Sequence, residues 1–235
     1  MVSLMAKFGT PDISIADINN RRIVTGFYGG THYTKARAFF FSAESGGPPY
    51  DFNLPRNDSA RCASGLRINE KDHVIGYTSD YPQAVRSILG WSPQSFLTTF
   101  LYADGTVIDF GDRQTYGLND HDVVVGGRRS AKTGHTTAFA LQADSEKLVD
   151  DDLGVLPDLG HTYSIATDIN NHGDIVGVSA TQAGTYGRAF LLTKDGTMLD
   201  LNSVLPPDSG WTLNSAIRIN DSGQILCEGA WAHHE

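Results

Sequence analysis

Charged side chains recur at one position of a long-period pattern in this chain. That position holds Asp17, Arg67, Gly117, Asp168 and Arg218, at intervals of 50, 50, 51 and 50 residues. Arginine and carboxylate side chains can form bidentate pairs when they are brought together. If the five positions converge, they form either a salt-bridge ring that only seals the structure or a polar floor for a small ligand. On a polar floor, Asp17 and Asp168 are candidate catalytic groups. Arg67 and Arg218 are candidates for holding a ligand carboxylate.

Glu228 is a third candidate catalytic carboxylate. The equivalent residues of the other copies are Phe27, Tyr77, Gly127 and Val178. A carboxylate in such apolar surroundings is expected to have a raised pKa, as a general acid requires. The alternative is an exposed side chain, or one paired with an arginine.

Aromatic residues are the remaining candidates for ligand contact, since binding sites combine aromatic side chains with a few polar groups. Trp91 and Tyr81 belong to extra material in the second copy, 80–95, and Tyr116 precedes Gly117. The bland interpretation of this material is a lengthened loop that packs on its own repeat. Loops on a rigid scaffold often carry function, which favours a binding role.

The element that must position these residues is an Asn-centred phrase found in five copies. Its asparagines are Asn19, Asn69, Asn119, Asn170 and Asn220. The seventh residue after Asn is Gly26, Gly76, Gly126, Gly177 and, in the fifth copy, Cys227. A fixed period of this size is typical of stacked or radial copies of one supersecondary unit.

Each copy is predicted to contain four short antiparallel strands. Alternating stretches flank an Asn-centred turn, as in 215–227, because Asn, Asp, Ser and Gly favour turns. A third strand carries a Phe, and Asp-Gly then turns the chain into a fourth strand, as at 103–110 and 194–201. In the second copy the third strand lies either at Phe100 or, in another register, at 88–91.

These features predict an all-β protein, a single five-bladed β-propeller domain over 1–235. The segment Ser3–Gly9 resembles a fourth strand, whereas the fifth copy ends after two strands. The N-terminal strand is therefore predicted to pair with the C-terminal blade and close the ring, which leaves few open sheet edges.

On these residues the chain resembles the HAF-repeat family, bacterial proteins in which Ala-Phe strands alternate with an Ile-Asn-x-x-Gly-x-Val-Val-Gly hairpin. The closest stretch is 199–226, LDLNSVLPPDSGWTLNSAIRINDSGQIL. The resemblance covers nearly the whole chain and implies a β-propeller-like fold. It implies no activity, because the family is named mainly for its repeat.

Composition narrows the classes of partner. The net charge is −9, so a nucleic-acid partner is not predicted. No stretch approaches the length of apolar sequence that spans a membrane, so no membrane partner is predicted either. The start, 1–11, lacks the basic and apolar parts of a signal peptide. The sequence therefore predicts a cytoplasmic protein, with a mature secreted domain as the alternative.

No cofactor is predicted, because the sequence has no phosphate-binding or metal-binding motif. It also has no motif of a nucleophilic serine. The two cysteines, Cys62 and Cys227, are too few for a disulfide framework and are predicted to be free thiols. The histidines are scattered over turns and connections, so no metal site is predicted.

Three functions remain open. The first is non-catalytic binding of a small molecule or sugar at the centre or on one face of the propeller. The second is a cofactor-independent enzyme, a cyclase, lyase or glycoside hydrolase, which uses Glu228 or an Asp of the row as acid or base. The third is a protein-interaction scaffold. Carboxylates that titrate abnormally in a pocket would favour the enzyme.

Overall fold

The computed structural model describes residues 9, 12–29, 36–42, 44, 48–52, 62–79, 98–130, 133–143, 150–185 and 187–232. The chain divides into two compact units, 1–114 and 115–235. The described residues form β-strands and turns, with a single 3-10 helix at Leu201–Val204. None of their helices has the length and apolar character that crossing a membrane requires.

Unit 1 contains two antiparallel sheets, each in simple sequential order. Within the described residues its strands are β1 (Ile13–Ile18), β2 (Ile23–Tyr28), β3 (Arg37–Ser42), β4 (Tyr50–Asp51), β5 (Cys62–Ile68), β6 (Val74–Ser79), β7 (Thr98–Ala103) and β8 (Thr106–Gly111). The sheet orders are β1-β2-β3-β4 and β5-β6-β7-β8.

Unit 2 continues the same order of strands. Within the described residues these are β9 (Gln114–Leu118), β10 (Val123–Arg129), β11 (Thr136–Gln142), β12 (Asp150–Gly154), β13 (Tyr163–Ile169), β14 (Ile175–Ala180), β15 (Arg188–Leu192), β16 (Met198–Asp200), β17 (Trp211–Ile219) and β18 (Ile225–Trp231). They form two four-stranded sheets and the pair β17-β18.

The prediction of short antiparallel strands in every copy is confirmed, with four strands in copies one to four. The predicted closing strand, Ser3–Gly9, falls on residues that are outside the described part except for Gly9. Ring closure and the count of five blades therefore stay predictions.

A buried Phe on the third strand lies opposite the Gly of the second strand in four sheets. The pairs are Gly26 with Phe39, Gly76 with Phe100, Gly126 with Phe139 and Gly177 with Phe190. At Gly76 a Cβ would lie 2.5 Å from Phe100 Cζ, so the ring occupies the space of the missing side chain. The Phe100 register of the second copy is confirmed, and the alternative at 88–91 is wrong.

A β-bulge interrupts the first strand shortly before the repeated Asn. The register shifts at Ala16, Leu66, Thr167 and Ile217. A bulge re-aims the side chains that follow it, because one extra residue breaks the strict alternation of faces.

The sheets of each unit pack face to face through shared apolar cores. In unit 2, Val125 of β10 and Ile169 of β13 belong to one buried cluster. Val176 of β14 and Ile219 of β17 belong to the next. In unit 2, β13 and β17 thus each cover the sheet that precedes them in the chain.

Candidate functional site

The first-strand row consists of the residues two before each repeated Asn: Asp17, Arg67, Gly117, Asp168 and Arg218. In unit 1, Asp17 Oδ2 accepts the backbone N–H of Ile68 at 3.1 Å. The neighbouring Arg67 is half-buried and donates from its guanidinium to the Leu66 carbonyl at 2.7 Å. The row positions of β1 and β5 are thus adjacent.

In unit 2 the row brings together three neighbouring first strands. A Cβ on Gly117 would lie 2.9 Å from Asp168 Cα, so only glycine fits between β9 and β13. Asp168 Oδ2 accepts the backbone N–H of Ile219 at 3.0 Å. The absence of a side chain at Gly117 therefore reflects close backbone approach. It is not a gap in a charged ring.

Both row carboxylates are thus bound to a backbone N–H of the next sheet. Each follows a bulge, at Ala16 or Thr167, which turns the Asp toward its neighbour. A hydrogen bond from a backbone N–H to a carboxylate is charge-assisted and therefore short and strong. Asp17 and Asp168 consequently act as joints between sheets.

The repeated Asn forms a second joint, a hydrogen-bonded link between neighbouring sheets. The sequence predicts for this Asn only a role in its turn. Asn119 Oδ1 accepts the N–H groups of His121 and Val123, both at 3.0 Å, and so closes its own turn. Its Nδ2 donates to the carbonyl of Asn170 in the next sheet at 3.2 Å. The same link runs from Asn19 to Asn69 at 3.0 Å. It also runs from Asn170 to Asn220 at 3.4 Å.

The residue after each Asn forms a third joint. The backbone N–H of Asp120 donates to Asn171 Oδ1, and that of Asn171 donates to Asp221 Oδ1, both at 2.8 Å. In unit 1, the N–H of Asn20 donates to Glu70 Oε1 at 2.8 Å. A signal for this joint was present in the sequence, because every copy carries a side-chain oxygen at that position.

Arg218 differs from the other row members. Its side chain is half-buried on β17, opposite Leu226 of β18. Within the described part of the chain, its guanidinium makes no hydrogen bond and no ion pair. By contrast, Arg188 donates to Asp200 at 2.7 and 2.8 Å, and Arg37 lies 2.6 Å from an oxygen of Asp51.

Tyr116 is half-buried on β9, and its phenol interacts electrostatically with that of Tyr163. Burial raises the pKa of Tyr116 strongly, and the nearby Tyr163 raises it further. Burial also raises the pKa of Tyr163 to about 12. Both phenols therefore keep their protons at neutral pH and serve as hydrogen-bond groups, not as bases.

Of the other predicted site residues, only Glu228 is described, and its side chain does not belong to the row. Trp91 and Tyr81 lie outside the described residues. Glu228 is described and is exposed on β18, opposite Ser215. The apolar burial on which its predicted role as a general acid depended is therefore absent. Its neighbour Cys227 is a free, half-buried thiol, and burial raises its pKa.

A polar cluster in unit 2 was missed by sequence reasoning. His161 Nδ1 lies 2.9 Å from Ser179 Oγ, which also accepts the backbone N–H of Leu156 at 3.0 Å. Ser179 is fully buried, and its hydroxyl holds the β12–β13 connection against β14. In the described residues, no three His, Cys, Asp or Glu side chains are grouped as metal ligands.

Acidification is expected to weaken this cluster. Burial lowers the pKa of His161, and the positive charge of Arg188 lowers it further. The folded state therefore binds a proton less readily than the unfolded chain, whose histidine pKa is about 6.5. The stability from this site is present above that pH and is lost as pH falls below it. Urea unfolding from pH 8 to pH 5 should show a steeper loss for wild type than for His161→Gln, and equal losses would contradict this role.

The fold has counterparts among solved structures. The β-propeller domain of the trilobed protease from Pyrococcus furiosus matches 94% of this chain and 67% of its own length, with a TM-score of 0.51 and 12% identity. This likeness shows the fold alone: the sheets are those of a β-propeller. A gluconolactonase from Xanthomonas campestris matches 91% of this chain and 67% of its own, with a TM-score of 0.48 and 14% identity. No protein-family model and no curated protein matches the sequence.

Proposed function

We propose that this chain is a non-catalytic binding protein for a small anionic molecule, with Arg218 of the first-strand row as its anchor. The observation that carries the proposal is the half-buried residue Arg218, whose guanidinium has no partner among the described residues. Partial burial of a charge is costly unless a counter-charge or hydrogen bonds compensate it. A bound anion would supply that compensation.

The hydrogen bonds of the row carboxylates support a binding function more than acid–base catalysis. Asp17 and Asp168 already accept backbone N–H groups of the next sheet. Protonating either one during a reaction would weaken the joint it forms. Glu228, the third candidate, is exposed. The residues proposed for proton transfer therefore have other tasks or surroundings unsuited to it.

A carboxylate is the ligand group that fits Arg218 best, because the guanidinium fork binds a carboxylate through two parallel hydrogen bonds. Small carboxylic acids and sugar acids both carry this group. Tyr116 could add a phenol hydrogen bond from β9. Trp91 and Tyr81, outside the described residues, stay predictions from the sequence.

Thermal unfolding in the presence of acetate, succinate, citrate and glucuronate tests the proposal. Binding to the folded state alone raises the melting temperature. We expect at least one of these acids to stabilise wild type and Arg129→Ala, but not Arg218→Ala. Arg129 is a matched control because it is an exposed arginine at the end of β10. No stabilisation of wild type, or equal stabilisation of all three proteins, would contradict the proposal.

Membership of the HAF-repeat family is proposed on the residues quoted above, and the propeller fold supports it. The Ala-Phe strands occur as β3, β11 and β15, and the Asn-centred hairpin is present in every copy. The five-bladed closed ring and the cytoplasmic location are kept as predictions.

A further inference from the structure

The fourth strand of each four-stranded sheet places an Asp opposite the buried Phe of the third strand. The pairs are Phe39 with Asp51, Phe100 with Asp109, Phe139 with Asp152 and Phe190 with Asp200. The Asp is therefore a recurrent feature of the repeat, and its surroundings can be compared from sheet to sheet.

In two of these sheets an arginine two residues before the Phe neutralises the Asp. Arg37 lies 2.6 Å from Asp51 Oδ2. Arg188 donates from Nε and Nη2 to Asp200 Oδ2, at 2.8 and 2.7 Å, so both donors converge on one carboxylate oxygen. The other oxygen, Oδ1, accepts the backbone N–H of Asn202 at 2.9 Å. The repeat thus has a defined position for a guanidinium group.

The second sheet keeps the carboxylate but lacks the arginine. Asp109 Oδ1 accepts the backbone N–H of Gly111 at 2.7 Å, which matches the orientation of Asp200. The position of the arginine holds Thr98, whose hydroxyl lies 3.1 Å from that of its strand partner Thr78. Within the described residues, the oxygen that would bind the arginine, Asp109 Oδ2, has no hydrogen bond and no ion pair.

Among the described residues, no neighbouring arginine replaces the missing one. Arg113 follows Asp109 by four residues, but its guanidinium donates to the Phe110 carbonyl at 2.9 Å. The third sheet also has a threonine at the arginine position, Thr137, yet it carries Arg128 directly across the strand pair. Of the four-stranded sheets that the structure describes, only the second has no arginine at either of these cross-strand positions.

The position is built within unit 1 alone. Thr98 precedes Phe100 by two residues and Asp109 lies directly opposite it, so all three side chains share one face of the β7-β8 pair. On that face Phe100 packs in a buried cluster with Ala38 and Phe52 of the first sheet. Asp109 is exposed and Thr98 is half-buried, so a small molecule can reach the carboxylate from solvent.

We infer that Asp109 binds the guanidinium group of a small molecule, which takes the place that the repeat gives to Arg188 in the fourth sheet. Two guanidinium N–H groups would donate to Asp109 Oδ2, as both donors of Arg188 do to Asp200. A guanidinium fits better than an ammonium, because its planar fork directs two donors to one side. Arg218 has no part in this cation site, so it can fail independently of the anion binding proposed above.

Thermal unfolding with ethylguanidinium chloride tests this inference, with ethylammonium chloride at the same concentration as the control salt. Binding to the folded state alone raises the melting temperature. Relative to Asp109→Asn, which keeps the acceptor for Gly111, wild type should gain about 1 to 3 °C from ethylguanidinium and less from ethylammonium. Asp152→Asn is the matched control: Asp152 accepts the N–H of Gly154 in the same way, and this variant should respond like wild type.

Thr98→Arg supplies a second test, since it restores the arginine of the first and fourth sheets. This variant should no longer respond to ethylguanidinium. The inference is overturned if wild type gains nothing over Asp109→Asn, if Asp152→Asn loses the gain as well, or if ethylammonium acts as strongly. An undiminished gain in Thr98→Arg would also overturn it.

Discussion

Replacing Gly177 by alanine is expected to destabilise unit 2 by about 3 kcal/mol or more. A Cβ at this position would collide with the Ile165 carbonyl of β13 and lie 2.8 Å from two ring carbons of Phe190. Neither neighbour can easily withdraw. The carbonyl belongs to a paired strand, and the ring is fully buried. Chemical denaturation with the unfolding midpoint as readout measures the loss.

Gly196→Ala is the matched control for this substitution. Gly196 lies in the β15–β16 turn with φ of +89°, and a Cβ there would meet nothing within 4 Å. Its expected cost is only the strain of a left-handed backbone, about 1 to 2 kcal/mol. If both variants lost the same free energy of unfolding, the repeated Gly would be needed for its backbone conformation and not for the space that the Phe ring occupies.

Asn119→Asp is expected to destabilise unit 2 by about 3 kcal/mol at neutral pH. The introduced carboxylate keeps the acceptor for the two turn N–H groups but loses the donor to the Asn170 carbonyl. Asn119 is buried, so the new charge also loses hydration and faces a carbonyl oxygen. Its folded pKa would be raised, and the deficit relative to wild type should shrink as pH falls toward about 4.

Asn220→Asp supplies the comparison within the same repeat. Asn220 is exposed, and among the described residues its amide donates to Gln224 alone. At low protein concentration this substitution should change stability by no more than about 0.5 kcal/mol. Both asparagines close a turn, but only Asn119 also links two sheets. If both substitutions cost the same stability, the repeated Asn would act mainly in its turn, and the link between sheets would contribute little.

The strand pattern was predictable because it depends on local chemistry that repeats. Asp-Gly turns, β-branched second strands and a Phe on the third strand are each visible in the letters of one copy. The partnership of Gly177 with Phe190 was not visible, because it depends on strand pairing. The second-copy register needed the structure for the same reason: only pairing with Gly76 distinguishes Phe100 from residues 88–91.

The candidate site was predicted less well. Some of its residues link neighbouring sheets, whereas the sequence suggests for all of them a role in ligand binding or catalysis. Period and residue type assign Asp17 and Asp168 to equivalent positions of their copies. They could not show that the carboxylates bind backbone N–H groups, because the bulges that turn these side chains toward the next sheet become visible only in the strand pairing. Glu228 was chosen because its counterparts are apolar, yet its own face of β18 is exposed. Arg218 was chosen for its charge, whereas its missing partner is a structural observation.

The measurement that tests the binding proposal most directly is NMR of the arginine side-chain Nε–H groups during titration with succinate and glucuronate. The Arg218 signal can be assigned by its loss in Arg218→Lys. It should shift saturably with at least one of the two acids, while the signal of Arg188, already held by Asp200, stays in place. An Arg218 signal that does not move, or a parallel drift of all arginine signals, would contradict an anion site at Arg218.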